Sequence, residues 1–290
     1  MEGALAPSFV TWPTSGAVSP SNKQRSWEGG RVREADPVTE QVATREVARL
    51  AELVRSAGSV VALTGAGISV PSGIPDFRSP GTGIWEKVNP MEVAHIDAFR
   101  SDPKRFWSFY GERFVTLRDK QPNGAHAALV ELERRGMLDG VITQNVDRLH
   151  AKAGTRELVE VHGSISSSSC LRCGASFELE EARRRLADDD GGVPRCDCGD
   201  PLKPDVVLFG EMLPEAAIAR AHELAAGADL LLCVGSSLEV YPVAGLPSVT
   251  LAGGGRIAIV TQSSTPFDDV AEVRLGGDVV EELQALVAAL

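Results

Sequence analysis

The sequence lacks any apolar run that approaches the roughly 18 residues of a membrane span. Its first residues also lack the basic start and the apolar core of a secretory signal peptide. Positive charge is in deficit, because 29 Lys and Arg stand against 40 Asp and Glu, for a net charge of −11. A surface for nucleic acid or an anionic membrane needs a basic face. We therefore predict a cytoplasmic protein with neither kind of partner, whose charge would better suit a basic protein substrate.

Cysteine is also scarce, and four of the five cysteines form two tight pairs. This spacing favours a metal site in a reducing compartment over a disulfide framework. Four thiolates complete a tetrahedral zinc site, and no nearby histidine or open position suggests catalysis there. We predict one structural zinc ion, with a redox pair as the alternative, at Cys170, Cys173, Cys196 and Cys198. The fifth, Cys233, lies in an apolar run and is predicted to be a small buried hydrophobe.

Apolar runs that alternate with helical patterns indicate the fold class. Hydrophobic residues make up 43% of the chain and charged residues 24%, as in ordinary globular proteins. The alternation predicts an α/β fold with a doubly wound parallel sheet of Rossmann-like type, plus a small zinc-binding module and a helical module. The predicted strands are 60–63, 140–143, 158–161, 206–209, 230–234 and 256–260, and the clearest predicted helices are 39–58, 129–137, 214–226 and one from 278.

Composition also divides the chain into segments. The beginning is rich in Pro, Ser and Gly without an apolar period, which predicts a disordered leader. A serine-rich segment with four cysteines has too few apolar residues for a core, so a bound metal ion is expected to stabilise it. The predicted segments are the leader 1–38, a catalytic domain 39–290 with Rossmann-like parts 39–78, 136–163 and 205–290, the helical module 79–135 and the zinc module 164–204.

The stretch from Ser59 to Arg78 is the first candidate for ligand binding. A buried strand that breaks into small residues brings backbone N–H groups against a pyrophosphate in nucleotide-binding proteins. The third glycine of the G-x-G-x-x-G pattern is missing, with Ser69 near its place, so a plain tight turn is the alternative. The following Gly73-Ile-Pro-Asp-Phe-Arg78 predicts a stiffened loop whose polar groups face a ligand.

A second group of polar residues follows two later strands: Gln144, Asn145, Asp147 and His162. Taken singly, each could be a helix cap, a turn former or a satisfied histidine. The carboxyl ends of parallel strands are where α/β sheets place ligands. Together with Asp76 and Arg78, these residues are expected to converge on one crevice.

Over about residues 45–290 the sequence resembles the sirtuins, NAD-dependent protein-lysine deacylases, of the bacterial type. The resemblance implies an enzyme that cleaves NAD at its glycosidic bond and transfers the acyl group from lysine to ADP-ribose. Its products would be nicotinamide, the free lysine and O-acyl-ADP-ribose. The resemblance rests on Gly65-Ala-Gly-Ile-Ser69, Gly73-Ile-Pro-Asp-Phe-Arg78, Thr143-Gln-Asn-Val-Asp147, His162-Gly163, the two Cys pairs, Phe209-Gly-Glu211 and Gly235-Ser-Ser237.

The resemblance also implies residue roles. His162 would be the general base, a task that suits an imidazole with a pKa near 6.5, with Asn145 and Asp147 beside it. Thr261 departs from the family, which often has Asn there, so the affinity for NAD is left open. The implied NAD-binding residues are Gly65, Ala66, Ser69, Ile74, Asp76, Phe77, Arg78, Gln144, Asn145, Asp147, Gly235, Ser236, Ser237, Thr261, Asp278 and Val279.

By the same resemblance, an acylated lysine of a protein is the substrate. Its peptide would add as a strand between two segments, at Val207, Phe209 and Gly210 on one side and Glu239 and Val240 on the other. Family members that prefer succinyl or malonyl groups carry an Ala and a Tyr-x-x-Arg, which here match Ala94, Tyr110 and Arg113. Arg113 would pair with an acyl carboxylate. Alternatively, Tyr110 packs and Arg113 is a solvated helix charge.

Two other functions fit parts of the sequence. A mono-ADP-ribosyltransferase could use the same crevice, and the sequence does not separate it from a deacylase. A non-catalytic NAD-binding interaction module would require loss of the base, whereas His162 and Asn145 are both present. The expectation is therefore an NAD-dependent deacylase that removes acetyl and also succinyl or malonyl groups.

Overall fold

The computed structural model describes residues 37–290 except 80, 82 and 87, without the side chains of 37–43, 112 and 115. The predicted leader therefore lies outside the described residues, apart from 37 and 38. Those two belong to the first helix, α1, which begins at Pro37 rather than Thr39. Among the described residues, no helix is both long enough and apolar enough to cross a membrane.

The main sheet has six strands, all parallel, in the order β3-β2-β1-β7-β8-β9. From β1 the chain first adds strands on one side and later on the other, so the order reverses between β1 and β7. Ligands of open α/β sheets bind outside the carboxyl ends of the strands at such a point. The strands are β1 (Val60–Thr64), β2 (Gly140–Thr143), β3 (Leu158–Glu160), β4 (Gly163–Cys170), β5 (Ser176–Glu178), β6 (Leu202–Val206), β7 (Leu230–Val234), β8 (Arg256–Val260) and β9 (Val273–Leu275).

Helices cover both faces of this sheet, which confirms the doubly wound fold. On β1, Val60 and Ala62 face the core beneath α1, α5 and α10, while Val61 and Leu63 face the core beneath α8 and α9. Successive side chains of a strand alternate between faces, so a strand covered on both faces is continuously apolar. The helices are α1 (Pro37–Ser56), α2 (Pro90–Val93), α3 (Ile96–Ser101), α4 (Pro103–Asp119), α5 (Gly124–Arg134), α6 (Leu149–Ala153), α7 (Leu179–Asp188), α8 (Glu215–Gly227), α9 (Leu246–Ala252) and α10 (Val279–Ala289).

A smaller antiparallel sheet, in the order β5-β4-β6, carries the cysteine pairs. We call residues 163–206 the cysteine module. Helix α4 packs toward it through an aromatic cluster that includes Phe106 and Phe114. The indole Nε1 of Trp107 donates a hydrogen bond to the backbone oxygen of Leu202, at 2.9 Å. The helical region and the cysteine module are therefore joined through α4.

Two sequence-based predictions of elements are wrong. The expected strand 206–209 is not part of the parallel sheet, because the strand there is β6, which ends at Val206 and pairs in the small sheet. Helix α5 begins five residues before the predicted 129, since the Asn123 side chain caps its first turn. The prediction also omitted β4, β5, β9, α6, α7 and α9.

Candidate functional site

The loops that follow β1 and β7 touch each other at the point where the strand order reverses. The backbone N–H of Gly67 donates to the oxygen of Gly235, at 2.8 Å. Gly235 has a φ of +60°, and a Cβ there would lie 2.3 Å from the nitrogen of Ile68. A Cβ on Gly65 would meet Ser236 at 2.8 Å. Only glycine allows this approach, which leaves a crevice lined by backbone.

After Gly65 the chain turns into a 3₁₀ helix over Ala66–Ser72. Its position is held by Asn123, whose Nδ2 donates to the backbone oxygen of Ile68 at 2.8 Å and to Ser72 Oγ at 3.0 Å. The same side chain caps α5. The turn that carries Ser69 is therefore fixed from behind by the start of a long helix.

Three of the predicted site residues form a directed chain of hydrogen bonds. Asn145 Nδ2 donates to the Gly65 oxygen at 3.0 Å and to Ser69 Oγ at 3.2 Å, and Ser69 Oγ donates to Asp147 Oδ2 at 2.7 Å. The other Asp147 oxygen accepts from the Leu149 N–H at 2.9 Å. Both hydrogens of the Asn145 carboxamide are thus used within the protein. Its Oδ1 is the atom available to accept a hydrogen from a ligand.

His162 has a defined tautomer. Its Nδ1 lies 3.0 Å from the backbone oxygen of Gln144. A carbonyl oxygen only accepts, so Nδ1 carries the hydrogen and Nε2 carries the lone pair. Nε2 is enclosed and has no hydrogen-bond partner among the described residues. Burial lowers the pKa of His162, against the opposing effect of the Gln144 carbonyl. The imidazole is therefore neutral at pH 7 and offers a base.

The Gln144 side chain reaches across to the loop after β7. Its Nε2 donates to Ser236 Oγ at 2.8 Å. Ser236 Oγ also accepts from the N–H of Leu238, at 3.2 Å. Ser237, next to it, is half-buried. The crevice is thus closed on one side by a link between the loops after β2 and β7.

The loop Gly73–Arg78 follows the 3₁₀ helix and carries four of the predicted NAD-binding residues. The Asp76 carboxylate accepts from the backbone N–H groups of Arg78 and Ser79, at 3.0 and 2.7 Å, so it shapes the loop itself. Phe77 stacks on Trp85 with ring centroids 5.1 Å apart. Ile74 is half-buried.

Arg78 joins this loop to the loop after β7. Its Nε lies 3.5 Å from a carboxylate oxygen of Glu239. Burial lowers the pKa of Arg78, opposed by the charges of Glu239 and Asp76. The contact places the predicted phosphate-binding arginine beside a predicted peptide-binding residue.

Three predicted NAD residues lie farther along the sheet, beyond β8 and β9. Thr261 is buried, and its N–H donates to the backbone oxygen of Leu275 at 3.0 Å. The Asp278 side chain caps α10 by accepting from the N–H groups of Val280 and Glu281. Val279 begins that helix. Their hydrogen bonds stay within this edge of the sheet, so the structure does not bring them directly together with His162 and Asn145.

The predicted acyl-binding residues lie in the helical region. Tyr110 stacks on Phe114, at a centroid distance of 5.4 Å, and packs against the same apolar cluster as Val146, which lies between Asn145 and Asp147. Burial raises the pKa of Tyr110, although the charge of Arg113 opposes this. The Arg113 guanidinium lies 4.3 Å from the centre of the Phe109 ring.

The segment Val207–Gly210 joins several parts of the site by its backbone. The N–H of Val207 donates to the His162 oxygen at 2.8 Å, and the N–H of Phe209 donates to the Ala94 oxygen at 2.9 Å. Ala94 is buried. Gly210 has a φ of +82°, and a Cβ there would lie 2.6 Å from His95. On the opposite loop, Val240 is half-buried and Glu239 exposed.

The four paired cysteines meet in the cysteine module. Their sulfurs all lie within 4.8 Å of one another, and the closest pairs, Cys170–Cys198 and Cys173–Cys196, are 3.5 Å apart. Tetrahedral zinc bound at 2.3 Å places sulfurs about 3.8 Å apart. The arrangement fits a structural zinc ion.

The fifth cysteine is not part of this cluster. Cys233 is 1% exposed on the central strand β7, and burial raises the pKa of its thiol to about 12. The prediction that it is a small buried hydrophobe is confirmed.

The sequence reasoning missed a polar layer beneath Asn145, made of Thr64, Thr143, His150 and His126. All four are buried, and Thr143 Oγ1 accepts from the Asn145 N–H at 3.1 Å. A signal was present: Thr64 and Thr143 end two otherwise apolar strands and are paired in register.

The part of the chain that contains these site residues is similar to known proteins. The model of the Sir2 family matches residues 65–242, which include both glycine loops, His162 and the cysteines. The NAD-dependent protein deacetylase of Thermotoga maritima is 43% identical over 231 residues, or 79% of this chain and 92% of the relative.

Solved structures agree with the sequence comparison. A Sir2 structure with a deacetylated p53 peptide and 3′-O-acetyl ADP ribose matches with a TM-score of 0.79 at 41% identity, covering 83% of this chain and 96% of that one. A Sir2 structure with a p53 peptide and NAD+ matches with a TM-score of 0.77 at 40% identity and the same coverage. The fold, the crevice at the strand reversal and the family match agree, and the chain belongs to the Sir2 family.

Proposed function

We propose that the protein is an NAD-dependent protein-lysine deacetylase that also removes acidic acyl groups such as succinyl and malonyl. The relatives named as NAD-dependent protein deacetylases support the first part. The observation that carries it in this molecule is the pairing of an enclosed base, His162 Nε2, with the oriented carboxamide of Asn145. Nicotinamide, O-acyl-ADP-ribose and the free lysine are the products.

The crevice has features that suit NAD. Backbone-lined walls at Gly65, Gly67 and Gly235 let a pyrophosphate approach closely, and the half-buried guanidinium of Arg78 adds positive charge. NAD supplies a ribose carbon that becomes electrophilic as nicotinamide leaves. Gln144 and Ser236 would contact the ribose side, and Asp147 and Asp76 the nicotinamide amide.

His162 would accept a proton from the ribose hydroxyls through Nε2. It is neutral because burial disfavours the imidazolium, and its Nδ1–H is fixed by the Gln144 carbonyl. Asn145 would orient the ribose through Oδ1, since both its amide hydrogens are bonded within the protein. Base and acceptor are thus oriented before the ligand arrives, which favours proton transfer.

The acyl preference rests on Tyr110 and Arg113. Both groups are partly removed from water, and burial lowers the pKa of Arg113. A guanidinium in such a place gains from pairing with a carboxylate. The contact of Arg113 with the Phe109 ring holds it on the aromatic side of α4. An acyl chain that ends in a carboxylate would reach Arg113, whereas an acetyl group would not need it.

The test compares acetyl-lysine and succinyl-lysine peptides of one sequence, with NAD, by mass spectrometry of the peptide. His162→Ala should lose activity on both peptides by about 10²- to 10⁴-fold, since a general base contributes that much. Full activity of this variant on both would refute the assigned base. Transfer of labelled ADP-ribose to protein, measured in the same reactions, would instead favour the mono-ADP-ribosyltransferase.

Arg113→Met tests the acyl preference separately. We expect desuccinylation to fall by about 10- to 100-fold, as for loss of a charge-assisted hydrogen bond, with deacetylation within about twofold of wild type. Arg118→Met is the matched control on the same helix, because its guanidinium pairs with Asp119 and Glu180 at the surface. Equal loss in both variants, or a wild-type protein that ignores succinyl-lysine, would refute the acidic preference.

A further inference from the structure

A buried polar layer lies directly beneath the crevice and has no place in the mechanism above. Thr64 and His126 are fully buried, and Thr143 and His150 are each 2% exposed. Burying polar side chains costs free energy unless they are hydrogen-bonded. Apolar residues could fill the same volume at the end of strands that are otherwise apolar. The layer therefore calls for an explanation beyond packing.

The hydrogen bonds in this layer run in one direction. Thr143 Oγ1 accepts from the N–H of Asn145 at 3.1 Å and from Thr64 Oγ1 at 2.8 Å. Thr64 has one hydroxyl hydrogen, which goes to Thr143, so toward His150 its oxygen must accept. His150 Nε2, 2.9 Å away, is therefore the donor. The chain runs from His150 through Thr64 and Thr143 to the backbone of Asn145.

Beyond His150 the layer continues through a ring contact, because His150 Nδ1 and His126 Nε2 have no hydrogen-bond partner among the described residues. His126 lies beside His150, with ring centroids 4.8 Å apart. His126 Nδ1 accepts from the N–H of Asn123, at 3.4 Å, as part of the α5 cap. Asn123 in turn holds the oxygen of Ile68, the residue before Ser69. The layer thus contacts the backbone N–H of Asn145 through Thr143, while Ser69 accepts a hydrogen bond from the Asn145 carboxamide.

We propose that Thr64, Thr143 and His150 are positioning residues that hold Asn145 in register with His162, with His150 kept as the neutral Nε2–H tautomer. This inference rests on the proposed function for its kinetic consequences. Its structural content does not, because the tautomer and the hydrogen-bond direction belong to the free protein. Asn145 is thereby fixed at both its backbone and its side chain before any ligand binds.

Kinetics of matched variants provide the first test. Thr64→Val keeps the shape of the side chain but removes the hydroxyl, and we expect kcat to fall about tenfold with the KM for peptide within about twofold of wild type, as for a residue that positions a catalytic group. Thr64→Ser keeps the hydroxyl and should retain kcat within about twofold. His150→Gln keeps an N–H near the position of Nε2, whereas His150→Leu does not, so only the second should resemble Thr64→Val. Equal kcat in the members of each pair would overturn the proposal.

Nitrogen NMR of the free protein with ¹⁵N-labelled histidine provides the second test. We expect the His150 signals of a neutral Nε2–H tautomer, lost in His150→Gln and shifted in Thr64→Val. A Nδ1–H tautomer would overturn the proposal whatever the kinetics show. If the wild type does not deacylate, the proposed function fails but the NMR result still decides the tautomer. Circular dichroism checks folding, and Thr64→Ser with His150→Gln serve if the apolar variants do not fold.

Discussion

The six-stranded sheet and the cysteine module are stabilised in different ways. The sheet lies between two large apolar cores, to which β1, β7 and β8 contribute residues on both faces. The cysteine module has a small apolar cluster of its own, and two of its four buried members are the candidate metal ligands Cys170 and Cys196. In the sheet, apolar burial leaves the strand ends available for chemistry. In the module, the side chains that could bind a metal are also the core.

Polar interactions differ in the same way. Around the crevice they are buried and directed, as in the bonds from Asn145 to Ser69 and from Ser69 to Asp147. In the cysteine module they are mostly surface ion pairs, such as Arg172 with Asp200. Exposed pairs of this kind contribute little to stability. The module therefore depends on its sulfurs far more than the sheet depends on any single group.

Removing the metal ligands should have the largest effect. We expect Cys196→Ser to lose the one zinc ion per chain and to unfold the cysteine module, since structural zinc in small domains contributes on the order of 10 kcal/mol. Metal content by atomic emission and hydrogen exchange over 163–206 measure this. Cys233→Ser is the matched control and should keep its zinc. Full zinc content in Cys196→Ser would contradict the site.

The next effect concerns an ion pair where the two regions meet, in which Lys203 is buried and Glu211 is half-buried. Lys203 Nζ lies 2.9 Å from Glu211 and donates to the backbone oxygens of Pro204 and Val206. Lys203→Met leaves the Glu211 charge without its partner, so we expect a loss of about 3–5 kcal/mol in unfolding free energy. Urea unfolding measures it.

Two further variants sharpen this comparison. The double variant Lys203→Met/Glu211→Leu should recover much of the stability, because neither charge remains buried. Arg220→Met removes an exposed ion pair with Glu157, and its unfolding free energy should equal that of wild type. A double variant no more stable than Lys203→Met would show that the pair is not the cause.

Acid should have a smaller effect, confined to the sheet region. Burial lowers the pKa of His126 to about 4 and that of His150 to about 3. Below pH 6.5 the unfolded chain takes up protons at these residues and the folded chain does not, so stability falls from pH 6.5 down toward 4. We expect these two histidines together to contribute a loss of roughly 2–3 kcal/mol between pH 7.5 and 5.5, to which the lowered pKa of His162 adds. Urea unfolding at both pH values measures this loss. If unfolding free energy falls with pH as steeply in His126→Gln/His150→Gln as in wild type, these two histidines are not its cause.

The sequence predicted most strands of the main sheet correctly, for a physical reason. A strand covered on both faces is a continuous apolar run, and β2, β7 and β8 match the predicted limits. The apolar run after β6 misled the prediction. There Val206 and Leu208 pack into the aromatic cluster, while Val207 and Phe209 pack against the sheet, so an extended loop mimics a strand.

The candidate site was predictable to the extent that its residues occur in motifs. Gln144, Asn145, Asp147 and His162 follow strands, and strand ends meet in a parallel sheet. The buried layer was not predictable in this way. His150 lies in a polar segment where it resembles a turn residue, and its contact with Thr64 joins positions 86 residues apart. Serine-rich β4 was missed because its pattern has no apolar alternation.

The contact between Gly67 and Gly235 has a consequence for mutagenesis. Alanine scanning measures the contribution of a side chain by removing it. Gly67 and Gly235 have no side chain to remove, and alanine at either position would insert a methyl group between two backbones. A scan would therefore record an added methyl group at these two glycines, and a lost side chain at the residues where alanine removes one. The two kinds of result are not on one scale, so a ranking of residues by alanine effects would misplace these glycines.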